Sequence, residues 1–215
     1  MPLIHSPKQA RSLDTQEKLL VALEELLAER FFEQITIRDL ADRAGVASGT
    51  IYRRFKDKEA LLPVLYQRYD HRLAEWTRSF WDDFDLDVAP RSIARIRHLV
   101  AKHLRFYEQE KPILRTVYLY MRLRGELSLE DVDERRQFEY VDMLAPIISA
   151  SLSEGQPEID EPRVKLFMLL LISSVNERCL FGELKPVRTL QMDEETFVAE
   201  LSTALHAYLF SRSGT

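Results

Sequence analysis

Residues 36–58, TIRDLADRAGVASGTIYRRFKDK, constrain the fold more than any other stretch of the chain. Thr36 and Asp39 have the spacing of a capping box, which predicts the start of a helix, and apolar residues follow at helical spacing. Gly45 then breaks the helical period where the chain has to turn sharply, because glycine adopts a positive φ without a steric clash. The stretch therefore predicts two short helices joined by a tight turn.

The second of these helices is predicted over residues 48–55. Ile51 and Phe55 are four residues apart, so they share the inner face of the helix and anchor it. In a helix-turn-helix the second helix enters the major groove of DNA, and its N-terminal residues meet the base edges. Ala47 and Gly49 are small enough to let the DNA backbone approach closely. The predicted contacts to bases or flanking phosphates come from the outward polar and basic side chains: Arg38, Ser48, Thr50, Arg53 and Arg54.

The motif that runs from Gly45 to Leu62, G-V-x-x-G-T-I-Y-x-x-F-x-x-K-E-x-L-L, resembles the TetR family of one-component transcriptional regulators. The resemblance in motifs covers roughly residues 13–65, and the rest of the chain matches in helical character and length. For Tyr52, the tyrosine of this motif, the alternative to a DNA contact is a structural position at the edge of the core. The resemblance implies phosphate contacts for three residues: Thr36, Tyr52 and Lys58.

The resemblance also implies an all-α fold of about nine helices. Residues 1–60 would form a three-helix DNA-binding domain that contains the helix-turn-helix. Residues 61–215 would form a larger helical domain for effector binding and dimerisation, with a mostly apolar pocket between its middle helices. Aromatic and Met residues at helical spacing are also typical of a plain core. The candidate ligand contacts are Phe106, Tyr107, Tyr118, Met121, Phe138 and Val141.

Residues 163–181 are apolar on nearly every side, and a helix without a polar, solvent-facing side has to be buried on two sides. One side can be the domain core, and the other needs a partner, because a monomer would expose a large apolar patch. The resemblance implies that this helix and the last helix pair with their copies in a homodimer. Such a dimer would read a palindromic operator with its two recognition helices ~34–36 Å apart. The predicted interface residues are Phe167, Leu170, Leu171, Val175, Phe197, Leu201, Leu205 and Tyr208.

The net charge of −5 looks unfavourable for a DNA-binding protein. Residues 1–60 hold ten Lys and Arg against ten Asp and Glu, so binding requires the two signs to be separated in space. We expect the glutamates of the first helix to face away from DNA. The basic residues concentrate in one short run: Arg53, Arg54, Lys56 and Lys58.

Three further segments have predicted roles. Residues 1–12 contain two prolines and no apolar period, so we expect a mobile arm before a first helix that starts at Asp14. Lys8 and Arg11 in that arm would reach a minor groove or be incidental charges. Asp57 is the predicted N-cap of the fourth helix, and Pro63 within its first turns predicts either a bend or a tolerated early proline. The remaining helices are predicted over residues 92–109, 112–124, 129–152 and 163–181, followed by the last helix.

The sequence argues against several other functions. It contains no GxSxG, P-loop or HExxH motif and no cysteine pair with metal-ligand spacing, so we expect neither an enzyme nor a cofactor. His98 and His103 are five residues apart and do not share a helix face. The longest apolar run, residues 166–172, is far shorter than the ~20 residues that span a bilayer, and no signal peptide is apparent, so we expect a cytoplasmic protein.

The pattern as a whole predicts a sequence-specific DNA-binding transcriptional regulator. The preferred form is a homodimeric repressor that a small, mostly apolar ligand releases from double-stranded DNA. The alternative is a structural or division-linked DNA-binding protein that takes a protein partner instead of a small ligand.

Overall fold

A computed structural model describes residues 7–124, 144, 147 and 159–211, except residues 86, 90, 186 and 191. Every element in these ranges is helical, with nine α-helices and two short 3-10 helices, and the predicted all-α fold is confirmed. The α-helices are α1 (Pro7–Glu29), α2 (Ile37–Ala44), α3 (Ser48–Tyr52), α4 (Leu62–Arg78), α5 (Ile93–Gln109), α6 (Lys111–Arg124), α7 (Glu161–Phe181), α8 (Val187–Leu190) and α9 (Glu194–Phe210). The 3-10 helices are Phe32–Gln34 and Glu59–Leu61.

The N-terminal arm was predicted to extend to residue 12, and this is wrong, because α1 already begins at Pro7. A proline is tolerated in the first turn of a helix, where its missing N–H has no partner to lose. Asp14 does not start the helix and instead forms an ion pair with Lys18 one turn later, at 2.7 Å. Residues 1–6 lie outside the described ranges.

The start of α4 explains how Pro63 is tolerated. The 3-10 turn Glu59–Leu61 leads directly into α4, and Pro63 is the second residue of that helix, where no intrahelical N–H bond is required. Asp57 accepts a hydrogen bond from the Ala60 backbone N–H at 2.9 Å at the start of this 3-10 turn; it was predicted to cap the fourth helix itself, which begins only at Leu62.

Local signals also set the ends of the later helices. Ser92 caps α5 by accepting from the Ala94 N–H at 3.0 Å, and α5 ends at Gln109 as predicted. Asp160 caps α7 by accepting a hydrogen bond from the Arg163 N–H at 2.8 Å. The helix begins at Glu161, two residues before its predicted start. Of the predicted helix 129–152, only residues 144 and 147 are described, and both are helical.

The chain divides into two compact units. The N-terminal unit consists of Met1–His71 and Pro112–Leu129, and the C-terminal unit of Arg72–Lys111 and Glu130–Thr215. The predicted domain boundary near residue 60 stays a prediction, because a compact unit is not necessarily a functional domain.

The core of the N-terminal unit holds the helix-turn-helix in place. The inner face of α1 is fully buried at Leu19, Leu23 and Leu27, and α1 packs on α2, which in turn packs on α3. Leu40 of α2 and Ile51 of α3 are fully buried as well. Because α2 and α3 are only eight and five residues long, their stability depends on this tertiary packing.

In the C-terminal unit, α5 packs against α7 and α9, and α7 packs against α9. Phe167 of α7 and Phe80, which follows α4, are among the largest fully buried side chains. Trp76 of α4 stacks on Phe106 of α5 with a ring-centroid distance of 4.5 Å. No helix in the described ranges combines the length and the apolar character needed to cross a lipid bilayer.

Candidate nucleic-acid interface

The turn between α2 and α3 has the geometry that the sequence predicted. Gly45 lies in the left-handed region, with φ 65° and ψ 36°, and its N–H donates to carbonyl groups of the last turn of α2. The Val46 N–H donates to the Ala41 carbonyl oxygen at 3.0 Å and closes the turn. A side chain at position 45 would be strained in this conformation, because left-handed residues place Cβ against the following carbonyl.

The N-terminus of α2 is fixed by a complete capping box. The Asp39 N–H donates to Thr36 Oγ1 at 3.1 Å, and the Thr36 N–H donates to Asp39 Oδ2 at 2.9 Å. The Thr36 hydroxyl also donates to Asp39 Oδ2, at 2.8 Å, so its proton is engaged within the cap. Hydrogen bonds from the backbone and hydroxyl of Thr36, together with Arg30, lower the pKa of Asp39. A phosphate at this position, as predicted for Thr36, would therefore be bound by the backbone N–H groups at the N-terminus of α2.

Helix α3 turns its apolar side inward and its polar side to solvent. Ile51 is fully buried and Phe55 is 8% exposed, whereas Tyr52 is 59% exposed. The helix is shorter than predicted, since it ends at Tyr52 and Arg53 forms its cap. All ten predicted DNA-contact residues are exposed or half-exposed in the structure: Thr36, Arg38, Ala47, Ser48, Gly49, Thr50, Tyr52, Arg53, Arg54 and Lys58.

The basic side chains on this surface differ in how freely they can move. Arg38 lies 3.8 Å from Asp42, and both side chains are largely exposed, so this ion pair holds Arg38 only weakly. Arg53 Nη2 donates to Thr50 Oγ1 at 3.2 Å, which places two predicted base contacts side by side. An arginine guanidinium has enough donors to keep such a bond and still pair with a guanine edge.

Lys58 has a structural role that the sequence did not reveal. Its ammonium group donates to the carbonyl oxygens of Phe32, at 2.7 Å, and Ile35, at 2.9 Å. It also lies 4.3 Å from the centroid of the Phe32 ring. Lys58 thereby ties the segment after α3 to the connection between α1 and α2. An ammonium group has three N–H donors, and the two carbonyl groups take two of them. The predicted phosphate contact of Lys58 would therefore use the third donor.

The acidic side chains of α1 are engaged with arginines of neighbouring helices. Arg43 of α2 pairs with Glu29 at 2.8 Å and with Glu25 at 3.4 Å. Arg68 of α4 pairs with Glu24 at 2.9 Å. These pairs neutralise the carboxylates within the unit, so the balanced charge of residues 1–60 is compatible with a basic surface at α3.

Arg115 attaches α6 to the end of α1 within the N-terminal unit. Its Nη2 donates to the carbonyl oxygen of Leu27 at 3.1 Å, and its guanidinium carbon lies 4.4 Å from the centroid of the Phe31 ring. A cation near the last carbonyls of a helix is favourable because it complements the helix dipole. No local sequence pattern predicts this contact, because Leu27 and Phe31 precede Arg115 by more than eighty residues.

The chain resembles known regulators in sequence. Residues 19–65 match the profile of the family described as "Bacterial regulatory proteins, tetR family". The repressor KstR2 of Mycolicibacterium smegmatis is 27% identical over 173 residues, which cover 76% of this chain and 77% of KstR2. The fatty acid metabolism regulator protein of Bacillus subtilis is 24% identical over 163 residues, which cover 74% of this chain and 79% of that protein. The N-terminal part of the chain therefore carries the DNA-binding region of the TetR family of transcriptional regulators.

Solved structures agree with this assignment at the level of the fold. FadR from Bacillus subtilis, solved in complex with stearoyl-CoA, aligns with a TM-score of 0.56 at 20% identity and covers 91% of this chain and 97% of its own. A TetR-family regulator from Marinobacter aquaeolei aligns with a TM-score of 0.58 at 18% identity and covers 95% of this chain and 100% of its own. The family match of its N-terminal part and its named relatives make the chain a DNA-binding transcriptional regulator, and the exposed α3 is its candidate recognition helix.

The predicted ligand contacts of the chain fall into three groups. Phe106 and Tyr107 are buried in the C-terminal unit. Tyr118 and Met121 belong to the N-terminal unit, where Tyr118 accepts a hydrogen bond from Arg122 at 2.9 Å. Phe138 and Val141 lie outside the described residues. A pocket of about 570 Å³ in the C-terminal unit is lined by a different set that includes Lys111, Arg178, Met192 and Phe197.

The predicted dimer contacts need correction on α7 and α9. Four of them are at most 1% exposed and form the chain's own core: Phe167, Leu171, Val175 and Leu205. A side chain that is already excluded from water has no apolar surface left to bury against a partner. Leu170 is 40% exposed, and Phe197, Leu201 and Tyr208 are half-exposed, so these four stay predictions. Sequence periodicity could not separate the two faces of α7, because both are apolar.

Proposed function

We propose that the chain is a homodimeric repressor that reads a palindromic operator through α3 and is released by a small, mostly apolar ligand. The observation that carries the proposal is the orientation of α3. Its buried Ile51 fixes the helix from behind, and the half-exposed Thr50 and the exposed Tyr52 and Arg53 form the outer surface. Two characterised relatives support the regulatory role, since one is named as a transcriptional repressor and the other as a regulator of fatty acid metabolism.

The base-reading role rests on Thr50 and Arg53. Their hydrogen bond places a hydroxyl and a guanidinium together on the outer face of α3, where base edges would lie in the major groove. Arginine pairs in bidentate fashion with guanine, and the threonine methyl group can contact the methyl group of thymine. The exposed Tyr52 and the basic run that follows supply contacts to phosphate, which give affinity without sequence preference.

The test compares two substitutions on the selected operator and on a scrambled duplex of the same length. Thr50→Ala and Arg53→Ala should weaken operator binding more than binding to the scrambled duplex, because base contacts carry the sequence preference. Lys56→Ala is the matched control: its exposed charge lies past the end of α3 and should lower affinity for both duplexes alike. Equal effects on both duplexes for Arg53→Ala would contradict the base-reading role.

The homodimer is supported by an exposed apolar stripe on α7. Leu166, Leu169 and Leu170 are 41%, 60% and 40% exposed, and their spacing of three and four residues places them on one face of the helix. Leaving such a stripe in water is unfavourable, and a two-fold related copy of the same stripe would cover it.

Two matched leucines test the dimer. Leu169 and Leu184 are both 60% exposed, but Leu184 follows the end of α7 and lies outside the stripe. Leu169→Glu should shift the sedimentation of the protein towards the monomer and weaken operator binding, whereas Leu184→Glu should leave both unchanged. A dimer that survives Leu169→Glu at micromolar concentration would place the interface elsewhere.

The effector is proposed to be mostly apolar because aromatic rings, Trp76, Phe80 and Phe106, pack together in the interior of the C-terminal unit. FadR, which shares this fold, was solved in complex with stearoyl-CoA, a ligand with a long apolar chain. Release would follow if the ligand binds better to a form in which the two recognition helices are wrongly spaced. A panel of apolar compounds should include some that raise the Tm of the protein and lower its operator affinity.

A further inference from the structure

His103 on α5 is fully buried, and only one of its two ring nitrogens has a hydrogen-bond partner among the described residues. Nδ1 lies 2.8 Å from the carbonyl oxygen of Leu99, one turn earlier on the same helix. A carbonyl oxygen only accepts hydrogen bonds, so Nδ1 carries a proton. In a neutral imidazole the other nitrogen, Nε2, is then an acceptor with a free lone pair.

The protonation state follows from burial. Removal of the ring from water lowers the pKa of His103 to about 4, which keeps the imidazole neutral at physiological pH. The tautomer is therefore fixed by the Leu99 carbonyl group, and Nε2 is an unpaired acceptor in the interior of the C-terminal unit.

Aromatic rings pack around the imidazole of His103. The ring centroid of Trp76 lies 4.9 Å from that of His103 and the two planes are perpendicular, while Phe80 and Tyr107 lie at 5.6 and 6.4 Å. Phe106 in turn stacks on Trp76, with a centroid distance of 4.5 Å. We call Trp76, Phe80, Phe106 and Tyr107 the aromatic cage. A buried water molecule requires two to four polar partners, which ring faces do not supply, so water is a poor partner for Nε2.

We propose that Nε2 of His103 is the polar contact of the effector site and that the effector is an apolar molecule carrying a hydroxyl or N–H donor. The inference rests on the proposed function, because it assigns the chemistry of the same ligand-released repressor. The aromatic cage selects the apolar body of the ligand, and the lone pair selects its donor. A ligand whose polar groups only accept, such as an ether, would leave Nε2 unpaired, which a buried polar group tolerates badly.

The first experiment uses the full chain and two matched pairs of compounds: decan-1-ol with 1-methoxydecane, and 2-naphthylmethanol with its methyl ether. Each pair shares an apolar body and differs in the hydroxyl donor. Binding is followed by tryptophan fluorescence, because Trp76 belongs to the cage and the chain has only 2 tryptophans. We expect the alcohol of at least one pair to bind roughly tenfold more tightly than its ether, the ratio for one added hydrogen bond.

Two variants test the role of the nitrogen. His103→Phe keeps a ring in the cage and removes the acceptor, so the alcohol and the ether should bind with equal affinity. His71→Phe is the matched control, because His71 is exposed on α4, and it should keep the preference of the wild-type protein. A preference for the alcohol that persists in a folded His103→Phe protein would overturn the inference.

A spectroscopic measurement on the wild-type protein needs no variant. In protein labelled with ¹⁵N at histidine, the alcohol should shift the Nε2 resonance of one buried, neutral histidine, and the ether should leave it in place. If alcohols and ethers bind equally and release the operator equally, the inference is overturned and the proposed function stands. If none of these compounds, nor any other apolar compound, binds or releases the operator, the proposed effector function fails together with the inference.

Discussion

His103 makes the stability of the protein depend on pH in a defined window. Burial lowers the pKa of His103 from 6.5 to about 4, so the unfolded chain binds the proton more tightly than the folded protein. The stability that depends on a neutral, buried His103 is complete above pH 6.5 and is lost as the pH falls from 6.5 to about 4. At about 1.4 kcal/mol for each pH unit of that interval, the loss is about 3 kcal/mol.

The assay is urea unfolding of the wild-type protein and of His103→Phe at several pH values between 4 and 7.5, at one fixed protein concentration. Burial lowers the pKa of His98 as well, so His98 and other titratable groups also contribute to the pH dependence. These groups are present in both proteins and cancel in the difference. The wild-type protein should lose about 3 kcal/mol more than the variant on going from pH 7.5 to 4.

The comparison does not depend on the absolute stability of His103→Phe, because the prediction concerns how each free energy of unfolding changes with pH. Two curves that run parallel within about 0.5 kcal/mol would refute the reasoning. They would mean that the imidazole is hydrated or paired in the folded protein, and the argument for an unpaired Nε2 would be lost with it.

Four further predictions concern the N-terminal unit. Thr36→Ala removes the hydroxyl that caps α2 and should lower the free energy of unfolding by about 1 kcal/mol, as urea unfolding would measure. Gly45→Ala forces a Cβ into the left-handed turn and should cost about 1–2 kcal/mol, whereas Gly49→Ala, at a position without positive φ, should cost less. Lys58→Met loses both carbonyl bonds and should lower the Tm as well as operator affinity, while a pure phosphate role would lower affinity alone. Arg53→Ala should weaken operator binding by about 1–3 kcal/mol in an anisotropy titration, and unchanged affinity together with an unchanged salt dependence would remove it from the interface.

Local sequence signals predicted the helix-turn-helix well. The capping box at Thr36, the turn at Gly45 and the inward side of α3 depend on neighbours within a few residues, and such signals are readable without the fold. The same holds for the start of α5, since a helix was predicted from residue 92 and α5 begins at Ile93. The start of α1 was missed because the residues after Pro7 show no apolar periodicity, which is the main signal for a helix.

Contacts between distant residues could not be predicted from the sequence. The two carbonyl groups that hold Lys58 come from a connection more than twenty residues earlier, and the Leu27 carbonyl group that holds Arg115 is farther still. On α7, Phe167 and Leu169 look alike in the sequence, but packing buries the first and exposes the second. His103 lies in an apolar stripe, so only the structure shows that one of its nitrogens has no hydrogen-bond partner in the described part of the chain.

Selection of bound duplexes from a random pool tests the account most directly. If α3 reads the major groove in a two-fold dimer, the selected sequences should form a palindrome whose half-sites are centred about one helical turn apart, or a multiple of it. Thr50→Ala and Arg53→Ala proteins should select weaker or altered half-sites. Recovery of unrelated sequences by the wild-type protein, even at low ionic strength, would contradict the central claim that α3 is a sequence reader.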